Sequence, residues 1–434
     1  MKALGLDIGT TNLCAVVYSA DREVLAVRTA ANDSFLDGEA WERIQDPNRI
    51  LKLCQALLAD ILKQHPDICA IGITGQMHGI TYLDTDGNPV SPLYTWQDGR
   101  GDLPCCEGRS WAQQMSHLTG YSLASGYGLV THFYNLHHDL VPENAAVLCT
   151  VADFIAMKLA GNHTPLIDAT NAASLGLYDL QNRCFDRDAL AAIGMDPGVL
   201  PELAEAPFLG CGSLGIPVYA AIGDNQASFL GAVEEKRDTV LINMGTGGQV
   251  CVYSPTFLMA DPLETRPFPD GGWLLVGASL CGGRSYALLE RFFRETVKLV
   301  TGQEVSAYDA MVRALDTENP PADAPVFATT FQGTRKDPSL RGSITNLTAD
   351  NFTPAYFLSS ILQGMADELY GYFQGYLQQG GTKPALLVGS GNGLRKNPPL
   401  QRIFSKTFGC PLVLSDIQEE AACGAALFAM KHRK

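Results

Sequence analysis

Apolar and polar positions along the chain switch between two periods. Residues 6–19 read LDIGTTNLCAVVYS: an apolar start, a polar Asp7, a Gly-Thr turn, then a β-branched and apolar run. Residues 242–254, INMGTGGQVCVYS, repeat that order with Asn243 at the place of Asp7. Each segment predicts a strand, a tight glycine turn and a second strand. The two lie more than half the chain apart, so a duplicated fold with one hairpin opening each half is the economical reading. Elsewhere, helical and strand periods interleave. Residues 50–64 predict an amphipathic helix, 69–73 a buried strand, 356–379 a long helix, 385–388 a strand and 421–431 a closing helix. Such alternation predicts an α/β fold with mixed sheets. VEEKRD at 233–238 interrupts two apolar segments and divides the chain into domains 1–235 and 236–434.

Composition narrows the function. The 434 residues suffice for two or three domains, and 46% hydrophobic content allows a sizeable core. The net charge of −15 argues against nucleic acid as a partner, because nucleic-acid binders need a basic footprint. It does not argue against ATP, which backbone N–H groups and Mg²⁺ can hold without a basic patch. Asp7 falls where a signal peptide needs an unbroken apolar run, and no stretch of 18 apolar residues exists. The expectation is therefore a cytoplasmic protein with no membrane span. The twelve cysteines are scattered without a C-x-x-C and read as reduced core thiols.

Several chemical motifs are missing or fail in context. There is no G-x-x-x-x-G-K-[ST] and no H-E-x-x-H. His132, His137 and His138 cluster in a helix-like stretch that reads as structural, and GCGSLG at 210–215 follows a proline-containing segment and reads as a loop. The turns Gly9-Thr10-Thr11-Asn12 and Gly245-Thr246-Gly247-Gly248 carry more weight. Glycine lets backbone N–H groups approach phosphate oxygens, and threonine hydroxyls add donors. Asp7, just before the first turn, can serve Mg²⁺ directly or through water. A third glycine-rich stretch, 389–397 (GSGNGLRKN), lies between a predicted strand and a helix near Leu400, a good place for a nucleotide. Three polar clusters follow in the first half: Gly75-Gln76-Met77-His78-Gly79, Trp96-Gln97-Asp98-Gly99-Arg100 and Gly223-Asp224-Asn225-Gln226. The first and third follow apolar strands, at whose carboxyl ends α/β proteins place ligands. An aromatic face with many hydrogen-bonding groups suits a polyol, and Asp224 can accept a hydroxyl proton.

Together these segments resemble the FGGY carbohydrate kinases of the actin, hexokinase and heat-shock ATPase superfamily. The matches run almost end to end and in the family's order: LDIGTTN, TGQMHG, TWQDGR, DATNAAS, GDNQAS, NMGTGG, GSGNGLRKNPPLQ and EEAACGAAL. TGQMHG is similar to the ketose kinases of the family. TWQDGR with Gln97, NAAS and GDNQAS most resemble its sedoheptulose-phosphorylating branch, with the xylulose branch next. The resemblance implies two actin-like (ribonuclease H-like) domains with an ATP and sugar cleft between them. It implies Asp224 as catalytic base and Asp7 as the Mg²⁺ carboxylate. Gln76, Met77, His78, Trp96, Asp98, Arg100, Asp224 and Asn225 would meet the sugar. Thr10, Thr11, Asn12, Gly245, Thr246 and Gly247 would face ATP phosphates, and Gly389, Gly391, Asn392 and Asn397 the adenosine side. The implied partner is a small sugar, with a homodimer left open. The chain is shorter than typical members, which touches the sugar pocket more than the reaction type.

Overall fold

The computed structural model describes residues 1–315, 323–334, 337 and 339–433. Packing separates two compact units. The first comprises Met1–Gly231, Pro267–Gly271 and the segment from Glu419 on; the second comprises Ala232–Arg266 and Gly272–Gln418.

In the first unit, β1 (Lys2–Ile8), β2 (Asn12–Ser19) and β3 (Val24–Ala31) form an antiparallel meander. The β1–β2 register pairs Asp7 with Cys14 and Ile8 with Leu13, which leaves residues 9–11 to turn. A Cβ on Gly9 would lie 2.6 Å from the Asn12 carbonyl oxygen, so the turn admits only glycine there. α1 (Pro47–Gln64) starts on an Asp46 N-cap that accepts from the Asn48 N–H, with proline at its first position. Its buried stripe of Ile50, Cys54, Leu57, Leu58 and Ile61 joins the core under the sheet. Each such side chain contributes about 1.5–3 kcal/mol. β4 (Ile71–Gly75) pairs parallel with β1, and β5 (Val218–Tyr219) pairs parallel with β4. The sheet order is β3-β2-β1-β4-β5, with strand Phe208–Gly210 beyond β5. β4 begins two residues later than its hydrophobicity predicts: Cys69 N–H donates to the Lys2 carbonyl, but the paired ladder starts only at Leu4–Ile71. α2 (Asp224–Ala232) follows a short strand, Ile222–Gly223, that also pairs with β4.

The second unit repeats this plan. β6 (Thr239–Met244), β7 (Gly248–Ser254) and β8 (Trp273–Ser279) form the meander. α3 (Gly282–Thr301) and α4 (Pro354–Gln378) come next, then β9 (Leu386–Ser390) parallel to β6, α5 (Pro398–Phe408) and β10 (Leu412–Leu414) parallel to β9. The order β8-β7-β6-β9-β10 matches that of the first sheet. Asp7 on β1 faces Thr74 on β4, and Asn243 on β6 faces Ser390 on β9. The repeat seen in the sequence is thus a repeat of sheet topology, and the fold is a two-domain α/β fold with mixed sheets flanked by helices.

The closing helix α6 (Glu420–His432) packs on β1 and β4 of the first unit. The division at 235/236 assigns it to the second domain, and its small residues explain the difference. A Cβ on Gly5 or Gly72 would overlap the carbonyls of Ala422 and Ala425, and one on Gly424 would overlap that of Ala227. Backbone lies against backbone here, so the chain's last segment returns to its first strand. Residues 210–215, read as a loop, run from the end of strand Phe208–Gly210 into one 3₁₀ turn, Gly212–Leu214, with left-handed glycines at Gly212 and Gly215. His137 and His138 pack around Trp111 and bond the Phe133 and Tyr134 carbonyls, while His132 bonds the Tyr82 hydroxyl. Seven cysteines are buried. Among the described residues no helix is long and apolar enough to cross a membrane.

Candidate functional site

In the first unit the glycine turn is held by a ring of side chains. The Thr10 hydroxyl lies 3.3 Å from Gln76 Oε1, Gln76 Nε2 donates to Gln45 Oε1 at 2.9 Å, and Gln45 Nε2 donates to the Thr10 carbonyl at 2.9 Å. Trp96, 46% exposed, donates from Nε1 to the Thr10 hydroxyl at 3.0 Å. Gln76 and Gln45 are buried, so the Gln76 amide is occupied in fixing Thr10. Thr11 and Asn12 are exposed at the tip of the turn, and the buried Asn32 ties the turn down through the Gly9 carbonyl.

His78 has a left-handed backbone, φ 73°, and stacks on Tyr127 with ring centroids 4.7 Å apart. Its Nδ1 lies 2.7 Å from the Ser174 carbonyl, an acceptor, so Nδ1 carries the proton and Nε2 is the accepting nitrogen of the neutral ring. Ser174 closes the helix-forming motif DATNAAS (168–174), which builds a bracket between two of the polar clusters. Ser174 Oγ accepts the His78 N–H at 3.2 Å. Thr170 Oγ1 accepts the Gly223 N–H at 3.0 Å and donates to Asp168 at 2.6 Å, and Asn171 donates to the Ala221 carbonyl at 3.1 Å. Met77 packs against Gly223, where a Cβ would meet its Cε at 2.7 Å. The bracket therefore fixes the backbone that delivers Asp224, half-buried at the head of α2, with Asn225 donating to its Oδ1 at 2.9 Å.

Asp7 belongs to the same neighbourhood. Burial, followed by the negative charges of Asp224 and Glu419, pushes its carboxyl up to about 7. Three carboxylates that repel one another suit a cation. Among the described residues, however, no group of three or more histidine, cysteine or acidic side chains is close enough to hold a metal ion alone. That fits Mg²⁺, which usually takes one or two protein carboxylates and fills its shell with water and phosphate. Glu419 opens the EEAACGAAL match but has no role legible in the sequence, because it is brought here only by the return of α6.

Asp98 and Arg100, expected against the sugar, are enclosed instead, with side-chain exposures of 0% and 1%. Asp98 accepts from Arg100 Nε at 2.6 Å and from the Arg100 and Arg43 backbone N–H groups. The Arg100 guanidinium also bonds Asn135 and lies 4.1 Å from the Tyr94 ring centroid. A buried charge must be paired within the fold, and this pair is satisfied there, bracing the loop that presents Trp96.

The second unit holds a cavity of about 790 Å³, within the size range of small-molecule sites. Tyr286, Tyr308, Val312, Met365 and Leu400 supply an apolar wall; Thr246, Arg284, Asn392, Lys396 and Asn397 supply polar groups. Gly245 and Thr246 reach it because α3 abuts their turn: Gly283 N–H bonds the Gly245 carbonyl and Arg284 N–H the Thr246 carbonyl, each at 3.0 Å. A Cβ on Gly282 would strike the Gly247 backbone, which explains the paired glycines 282 and 283. Of the sequence-nominated residues, Gly245, Thr246, Asn392 and Asn397 line the cavity, whereas Gly247, Gly389 and Gly391 are not among its lining residues. Gly389 is packed among Leu394, Leu412 and Leu414, and Gly391, φ 84°, brings the turn against the Met244 carbonyl. Asn397 Oδ1 caps α5 through the Leu400 N–H. Arg284 and Lys396 are additional cations; the Gly-Gly-Arg that follows β8 was the signal for Arg284.

Known proteins resemble this chain along nearly its whole length. The description of the FGGY family of carbohydrate kinases, N-terminal domain, matches residues 2–231, and that of the C-terminal domain matches residues 240–432. Human sedoheptulokinase is 29% identical over an alignment covering 99% of this chain and 97% of its own. A xyloylose kinase structure from Brucella ovis superposes with a TM-score of 0.85 at 20% identity, covering 100% of this chain and 90% of that one. Plasmodium falciparum glycerol kinase, solved with ADP, gives 0.80 at 17% identity, covering 99% and 89%. With both domain descriptions matched across nearly its whole length, this chain belongs to the FGGY family of carbohydrate kinases.

Proposed function

We propose that the chain transfers the γ-phosphoryl group of ATP to a primary hydroxyl of a ketose, sedoheptulose ahead of D-xylulose, forming sedoheptulose 7-phosphate in the first case. The observation that carries the reading is Asp224, half-buried beside Asp7 and delivered by a backbone that the DATNAAS helix fixes at Gly223. Asp224 accepts the proton of the attacking hydroxyl, a role worth about 10²–10⁴-fold in rate. His78 offers Nε2 to a sugar hydroxyl, Asn225 steadies Asp224, Met77 supports its backbone, and Trp96 gives the sugar an aromatic face. Gln76, Asp98 and Arg100 act behind them, holding Thr10 and the Trp96 loop.

The nucleotide reading rests on the second-unit cavity. Its apolar wall suits a purine, Arg284 and Lys396 suit phosphates, and the Thr246 turn offers hydroxyl and backbone donors; the family resemblance assigns the Thr10 turn to phosphate as well. Bound Mg²⁺ would neutralise phosphate charge, with Asp7 as its carboxylate. Positioning and charge neutralisation do most of the work in phosphoryl transfer.

The ketose assignment rests on the likeness of TGQMHG to the ketose kinases of the family, because Gln76, Asp98 and Arg100 are already paired within the fold. The choice of seven carbons leans on the 28–29% identity to mammalian sedoheptulokinases. Measuring kcat/KM for sedoheptulose, D-xylulose, D-ribulose, gluconate and glycerol tests it. Sedoheptulose should lead. A lead for D-xylulose or gluconate would reassign the substrate, a lead for glycerol would overturn the pocket reading, and binding of sugar and ATP without turnover would make the chain a sensor.

A further inference from the structure

A pair of thiols lies outside everything assigned so far. After the turn that carries Arg100, residues 103–111 form a small hairpin. Pro104 bridges Ser110, Cys105 N–H bonds the Arg109 carbonyl at 2.9 Å, and Arg109 N–H bonds the Cys106 carbonyl at 2.8 Å. Glu107 and Gly108 at the tip both have positive φ, 50° and 75°, as a type I′ turn requires. The Arg109 guanidinium bonds Glu107 at 2.7 Å and Gln114 at 3.2 Å, tying the tip to the following helix. The hairpin therefore holds its two cysteines in a set relation. The Cys105 and Cys106 sulfurs are 3.6 Å apart; Cys106 is exposed and Cys105 half-buried.

Four chemistries can use adjacent thiols, and geometry together with burial separates them. A disulfide usually spans Cα atoms about 4.4–6.8 Å apart, whereas neighbouring residues across a trans peptide are fixed at about 3.8 Å, so oxidation to a vicinal disulfide must distort the hairpin. Structural zinc needs four ligands, and among the described residues no group of three or more ligating side chains exists. Peroxide oxidation needs a ready thiolate; burial, together with the hydrogen bond to Cys106, pushes the Cys105 thiol up to about 11, which disfavours that route at Cys105. A trivalent arsenic centre carrying one organic group needs only two thiols, and sulfurs already 3.6 Å apart ask little movement of the backbone.

We propose that Cys105 and Cys106 form a bidentate site for trivalent organoarsenicals. In the reaction of a monosubstituted arsenoxide, two As–S bonds form and the As–O bond is lost. Both thiol protons leave on that oxygen as water, and nothing is oxidised or reduced. Because the second As–S bond closes within one rigid turn, its effective concentration is high, and the adduct should outlast any formed on single exposed thiols such as Cys184.

The test is intact-mass analysis of the full chain treated with one equivalent of phenylarsine oxide in excess monothiol, followed by peptide mapping. One phenylarsenic unit per chain should survive the monothiol, map to the peptide holding both cysteines and come off with a small dithiol. Cys105→Ser and Cys106→Ser should each abolish it. Cys106 is exposed, so its serine variant should fold, and a normal melting midpoint will show that it does. No monothiol-resistant adduct on the wild type, or an adduct that persists in folded Cys106→Ser, overturns the proposal.

Discussion

Gln45→Leu tests how the glycine turn is held. Gln45 is fully buried and closes the ring that joins Thr10 to Gln76. Leucine has similar bulk but neither donor nor acceptor, so the Thr10 carbonyl and the Gln76 amide both lose a partner. Each buried group left unsatisfied costs about 1–3 kcal/mol, and the leucine's own burial offsets part of it, so the expected net loss is about 2–4 kcal/mol. A turn freed by one hydrogen bond's worth of energy, about 1–1.5 kcal/mol, should raise KM for ATP about five- to tenfold. Because Trp96 bonds the same Thr10 hydroxyl, KM for the sugar should rise with it while kcat falls less. Gln45→Glu sharpens the test. It keeps the acceptor for Gln76 but can donate to the Thr10 carbonyl only when protonated, so it should recover toward wild type as pH falls. The assays are urea unfolding and initial rates with each substrate varied in turn. A Gln45→Leu enzyme with wild-type unfolding and an unchanged KM for ATP would show that the ring does not hold the turn.

Two other variants probe the carboxylates and the bracket. Asp7 holds its proton up to about 7 in the fold against 3.8 unfolded, so its ionisation works against folding: that part of the stability is present below pH 4 and lost as pH rises toward 7. Asp7→Asn should therefore be more stable than wild type by on the order of 1–3 kcal/mol at pH 8 without nucleotide, with the gap narrowing at pH 5 and closing near pH 4, and phosphorylation greatly reduced; thermal melts from pH 8 to pH 4 check the sign. Thr170→Val removes the acceptor for the Gly223 N–H and should lower kcat by about tenfold with KM for ATP unchanged, while Thr170→Ser restores it, as steady-state kinetics will show.

Much of the plan was legible because it is written in backbone demands. Gly9 and the Gly245–Gly248 turn stand where no Cβ fits or where the chain must bend tightly, and the flanking apolar runs mark the strands, so the two hairpins and their repeat could be read directly. The closing helix was visible as a helix but not in its place. Its contacts set Gly5 and Gly72 of the strands against the Ala422 and Ala425 carbonyls, and its own Gly424 against the Ala227 carbonyl, and small residues do not announce what lies over them. The site was legible as a set of clusters and less so in the part each side chain takes. Asp98-x-Arg100 looks equally polar whether it faces a sugar or pairs with itself under Trp41 and Tyr94. DATNAAS matched the family by pattern, but its work on Ser174–His78 and Thr170–Gly223 depends on three segments meeting, which no local spacing encodes.

The central claim is that Asp224 takes the proton of the attacking sugar hydroxyl. Asp224→Asn keeps the shape and the place at the head of α2 while removing the base. The decisive measurement is kcat of this variant with the best ketose, alongside ATP affinity by titration calorimetry. The account predicts a fall of about 10²–10⁴-fold in kcat with ATP binding within a few-fold of wild type. Turnover near the wild-type rate would contradict it.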